Sequence, residues 1–167
     1  VMAGTPWLAV GSFASVVGSL YLLAQLREHW DRPGARWFVA TIATITVCGG
    51  SYGVALLVSN PAARVLLEGL SWVCLVWIGY FFLAFALGYT GRRGILGSPP
   101  FWAFGAVPAL ASVLALTNPR HELLWAGFEL RPVGAVVGAT YTFQPLGYFV
   151  LVVGMLLVSF GTVLLFD

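Results

Sequence analysis

The sequence predicts an all-α integral membrane protein. It reads as one membrane domain over residues 1–167, a bundle of five transmembrane helices with a long outer loop that holds a short β-hairpin. Three observations predict this. Charge is scarce: eight Arg and six acidic residues make up 8% of the chain, where a soluble domain carries about 25%. Those charges gather in four clusters and at Asp167, leaving charge-free stretches over 1–26, 37–63, 69–91, 94–119 and 132–166. Hydrophobic residues reach 60% with a mean hydropathy of +0.93, and a hydrocarbon core of ~30 Å needs only ~20 such residues per helix. Helices satisfy their own backbone groups in lipid, and the strict alternation of a lipid-facing barrel strand is missing.

The first span is expected over about 5–26. It lacks a basic leader, so it should remain in the mature protein. Arg27 to Arg36 close it, with Pro33-Gly34 making the turn. The second span, about 37–58, ends at Ser59-Asn60-Pro61, a helix stop followed by a fresh start. Arg64 and Glu68 then precede a third span over about 69–89, rich in Trp72, Trp77, Tyr80, Phe81 and Phe82. The fourth, about 101–116, follows Pro99-Pro100 and contains Pro108, which should kink or break it. Residues 117–144 read as an ordered outer loop. Aromatic and β-branched residues over 124–130 and 133–143 flank Arg131-Pro132, so a hairpin turning there and lying on the membrane is expected. The fifth span covers about 146–166.

Cytoplasmic loops retain basic residues. The loops after spans one and three carry five Arg against three on the other side, where Arg64, Arg120 and Arg131 share the surface with Glu68, Glu122 and Glu129. The N-terminus is therefore expected outside, the 117–144 loop outside, and Asp167 in the cytoplasm.

Several chemistries are excluded. With no Lys there is no Schiff base, so covalent retinal and pyridoxal phosphate are ruled out, as is a Lys-containing phosphate loop. The net charge of +2 is too small and dispersed for a nucleic-acid surface. Cys48 and Cys74 lie within spans as reduced packing residues, and His29 and His121 lack companions at metal-ligand spacing. No nucleophile, base and oxyanion set appears, so the chain is expected to bind, transmit or scaffold rather than catalyse, with no metal and no bound cofactor.

What remains is small, aromatic and peripheral. Gly147, Gly154 and Gly161 recur every seven residues on one helix face, and Gly49 with Gly53 forms a GxxxG pair. Such faces pack helices within a bundle, or present a surface to a homodimer partner or a larger membrane complex. Trp7, Trp37, Trp102 and Trp125 fall near membrane boundaries as interfacial anchors. Trp72, Trp77 and Tyr80 either pack or line an apolar pocket for a lipid or other non-covalent ligand. Arg64 and Glu68, four apart, are either a solvated edge pair or an outer recognition point beside His121 and Glu122.

The order of local patterns carries a resemblance. Pro6-Trp7, the Arg32-Pro33-Gly34-Ala35 turn, the Trp-rich third span closing in Tyr89-Thr90-Gly91-Arg92, then Thr117-Asn118-Pro119-Arg120-His121, Trp125 and Gly147-Tyr148 follow one another. Together they resemble the seven-transmembrane N-terminal sensor region of histidine kinases, particularly those of halophilic archaea, over essentially the whole chain. The resemblance implies a membrane sensory input domain that drives cytoplasmic signalling modules. It carries over Asn118, His121 and Trp125 as motif positions with a sensing or a structural role, and no catalytic residue, since His121 belongs to an outer motif. The family's last two spans, phospho-accepting His and ATP site have no counterpart in this chain. A small accessory or structural subunit of a larger membrane complex is the competing expectation.

Overall fold

The computed structural model describes residues 6–166, in which five helical segments are long and apolar enough to cross a membrane. Helix α1 spans Trp7–Leu26, α2 Ala35–Ala55, α3 Pro61–Tyr89 and α7 Pro145–Phe166. The fourth crossing is broken into α5, Pro99–Phe104, and α6, Ala106–Thr117, after the short α4 at Arg93–Leu96. Asp167 and the start of the expected first span lie outside the described residues.

Local chemistry sets the boundaries. Gly34 at φ +80° turns the chain into α2, which stops at Ala55, three residues short of the expected end. Asn60 caps α3 by accepting from the Ala63 N–H at 3.1 Å, and Pro61 occupies the first turn, where a missing N–H costs nothing. The third helix thus starts eight residues before the expected 69, and Arg64 and Glu68 lie inside it rather than ahead of it. At 29 residues and ~1.5 Å each, α3 is ~43 Å long, against ~30 Å of hydrocarbon, and its charges, Arg64 and Glu68, lie near its N-terminal end. The break in the fourth crossing falls at Gly105 rather than at Pro108. A proline ring clashes with the carbonyl four residues back, which is that of Phe104.

Helix α3 is central. It packs on α2, α6 and α7, whereas α1 packs chiefly on α2. Outward side chains of α1 and α7, such as Val17, Met155 and Phe166, are exposed apolar surface, as lipid contact demands. The strands are β1, Trp125–Val133, and β2, Val136–Phe143, paired antiparallel with Val133 opposite Val136 and a bulge between Ala126 and Glu129. The turn is Gly134-Ala135, not the expected Arg131-Pro132. Gly134 supplies the φ of +61° that a two-residue hairpin turn needs, while Pro132, one pair beyond the closing pair, sits where its missing N–H faces away from β2. Val137 opposite it points its N–H outward to the Leu56 carbonyl at the end of α2, 2.8 Å away, so the hairpin is docked on the bundle.

Candidate functional site

The site grows from the end of α6. Asn118 is 1% exposed, and its amide acts as a surrogate peptide group. Oδ1 accepts from the Leu124 N–H at 2.8 Å and the Trp125 N–H at 3.4 Å, and Nδ2 donates to the Trp125 carbonyl at 2.7 Å. Its own carbonyl accepts from the His121 and Glu122 N–H groups, with Glu122 at φ +49°. The His121 ring finishes the turn: Nδ1 accepts from the Leu123 N–H at 3.1 Å. Nε2 must then carry the proton, which it donates to Thr117 Oγ1 at 3.0 Å, and that hydroxyl donates to the Val113 carbonyl at 2.7 Å. The Thr-Asn-x-x-His segment is therefore a knot that fixes where the hairpin begins.

Trp125 carries the knot into the core. Only 2% exposed, it is stacked on Trp72 of α3 with ring centroids 5.1 Å apart and also touches Tyr141 of β2. It is a core residue and not the interfacial anchor expected from its position. Gly147 of α7 lies so close to Leu124 that a Cβ there would strike the Leu124 carbonyl.

Beside this cluster sit Arg64 and Glu68. Arg64 Nη1 donates to Glu68 Oε2 at 3.1 Å, with the two side chains only 3% and 12% exposed. The Tyr141 hydroxyl donates to Glu68 Oε1 at 2.7 Å. Burial, then the Glu68 carboxylate, pushes the Tyr141 phenol well above its usual range, so it stays a donor. The pair is thus not a solvated edge pair, because β2 folds over it, and Tyr141 rather than His121 or Glu122 engages Glu68. Tyr141 is the residue that sequence reasoning missed. Its only signal is placement in a strand that must lie somewhere on α3.

The remaining candidates are dispersed. Trp77 donates to Ser112 Oγ at 3.0 Å, and Tyr80 donates to the Phe101 carbonyl at 3.3 Å and stacks on the Phe101 ring. Trp72 and Tyr80 belong to separate clusters, so the three rings do not face one shared pocket. Gly49 and Gly53 face Ser12, Phe13 and Val16 of α1. Gly154 presents its carbonyl 2.9 Å from where a Cβ on Gly79 would sit, and Gly161 receives the Phe82 ring. Gly49, Gly53, Gly147 and Gly161 are thus used by contacts within this chain, while the side-chain direction of Gly154 is open. Among the described residues, no three of His, Cys, Asp and Glu gather into a metal-binding group.

The family described as the N-terminal 7TM region of histidine kinase matches residues 10–167. The chain belongs to that family. No curated protein and no solved structure matches it. The family region is named for seven spans, and this chain contributes five candidates among its described residues. Membership makes it a membrane sensory input region of the histidine-kinase type.

Proposed function

We propose that this chain is the non-catalytic input module of a histidine-kinase pathway. Its N-terminus and hairpin face outward, its C-terminal end faces the cytoplasm, and α3 relays events at the hairpin across the bilayer to cytoplasmic kinase modules. One observation carries this reading: α3 is a single uninterrupted helix whose hairpin-side half is gripped by Tyr141 and Trp125, while its far end touches the turn into α2, where a Cβ on Gly88 would lie 3.0 Å from the Gly34 Cα. Small displacements of packed helices are a common switching geometry. At Gly79 the α7 backbone of Gly154 approaches closely, with the Leu157 Cβ beside it, so α3 and α7 are in direct contact along this face. The five Arg around the loops opposite the hairpin support the orientation. The accessory-subunit reading has less support, because Gly49, Gly53, Gly147 and Gly161 already face neighbours within the chain.

The test fuses the chain to histidine-kinase cytoplasmic modules in vesicles and measures autophosphorylation. Tyr141→Phe should shift the basal level several-fold in one direction. Unchanged phosphorylation in Tyr141→Phe and Trp125→Phe, with the hairpin measurably loosened in both, would remove the hairpin from the input pathway. Thiol labelling of Arg92→Cys from inside and Arg131→Cys from outside, in a background lacking Cys48 and Cys74, tests the orientation.

A further inference from the structure

Between the hairpin and helices α1 to α3 lies a cleft of about 520 Å³, within the ~300–1,000 Å³ typical of small-ligand sites. Leu8, Leu56 and Val136 supply apolar wall, and Arg64, Glu68 and Tyr141 form its polar end. The polar end is incomplete. Arg64 is 2% exposed, yet its Nε–H finds no hydrogen-bond partner among the described residues. Buried donors are normally satisfied, and one on a charged group is costlier still to leave bare. Beside it, Arg64 Nη1 is held by Glu68, and Glu68 accepts at both oxygens.

We propose that this cleft binds a neutral amphiphile whose carbonyl or hydroxyl oxygen accepts the Arg64 Nε–H, with its apolar body between Leu8, Leu56 and Val136. Neutrality follows from the charge already present. The Arg64 cation is matched by Glu68 at 3.1 Å, so a second anion would face the carboxylate without an unmatched cation to hold it. Amphiphilicity follows from the walls and from depth, because this polar end sits on the first two turns of α3, at the edge of the apolar layer. An ester of a bilayer lipid and a freely diffusing ligand share this chemistry. The inference rests on the reading of this end of the bundle as the input face.

The experiment titrates monodecanoylglycerol into the full chain held in nanodiscs of ether-linked phosphatidylcholine, whose chains lack carbonyls, and follows thermal stability and Trp fluorescence. Saturable binding is expected, with decane at least about tenfold weaker, the fold-change of one hydrogen bond to a charged group, and decanoate weaker because its carboxylate faces that of Glu68. Arg64→Lys retains a cation for Glu68 but lacks the Nε–H, and should weaken binding by a similar factor. Should that variant fail to fold, Leu8→Trp, at an exposed position on the cleft wall, leaves Arg64 intact and should also weaken binding. Repeating the titration in ester-linked nanodiscs separates the sources: loss of probe binding points to a bilayer ester as resident, and unchanged binding to a ligand from water. Equal affinity for decane, tighter binding of decanoate, or indifference to both substitutions would overturn the site. Binding that leaves a fused kinase's phosphorylation unchanged would overturn the sensory reading but not the site. Absent binding, with phosphorylation still sensitive to Tyr141→Phe, would do the reverse.

Discussion

The two ends of the bundle differ in what holds them. At the hairpin end, side chains do much of the joining beside the Gly147–Leu124 approach: Asn118 ties α6 to β1, Trp125 stacks on Trp72, and Tyr141 bonds Glu68. At the other end, the missing side chain does it. A Cβ at Gly34 would lie 3.0 Å from the Phe85 carbonyl oxygen, and the Gly34–Gly88 approach admits nothing larger. Polar and aromatic joints can be loosened by degrees, whereas a backbone contact is either kept or lost. The difference teaches where adjustment can enter this molecule and where only rigid transmission is available.

Substitutions that strip one kind of joint at a time put the contrast to the test. Trp125→Ala removes a ring buried between Trp72 and Tyr141 and should cost about 4 kcal/mol, read from denaturant unfolding in micelles. Gly34→Val should cost about 3 kcal/mol, because a β-branched residue at φ +80° adds strain to the collision. Gly91→Val separates the two contributions, having a similar φ of +79° but open space around it, and equal losses at both positions would break the claim that close approach holds this end.

Asn118→Ala should cost about 2 kcal/mol and release the Leu124 and Trp125 amides to hydrogen exchange, while amides of α2 near Gly34 stay protected. Tyr141→Phe should cost about 1 kcal/mol by leaving Glu68 Oε1 without its donor. That contact also has a pH signature. The folded phenol is held above the ~10 of a free tyrosine, so its contribution is full below pH ~10 and is lost as pH rises toward the folded value. The wild-type hairpin should therefore loosen only in strong alkali, and Tyr141→Phe should abolish that dependence. Arg131→Ala should change nothing measurable, since its pair with Glu129 is two-thirds exposed on both sides.

The apolar runs made the five crossings legible, because lipid demands length and hydrophobicity and little else. The boundaries were less so. The start of α3 hid behind two charges, which read as loop until the Asn60 cap and Pro61 placed them on a helix that overshoots the bilayer. The hairpin is legible in its β-branched and aromatic residues around Arg131 and Pro132, but its turn falls just past them, where Gly134 supplies the positive φ. Asn118, His121 and Trp125 could be named from the sequence, yet their joint role needed coordinates, since an amide that imitates a peptide bond leaves no periodic trace. Tyr141 was illegible because its partner stands 73 positions away.

Pro132 has a last consequence. A two-stranded ribbon leaves the outer rim of β1 open, and a stray strand from a neighbouring molecule would find a template there. The ring at Pro132 deletes one of the donors such an intruder would need, and the exposed Glu129 and Arg131 beside it add charge to that rim. The hairpin is consequently guarded against edge-to-edge aggregation in a crowded membrane.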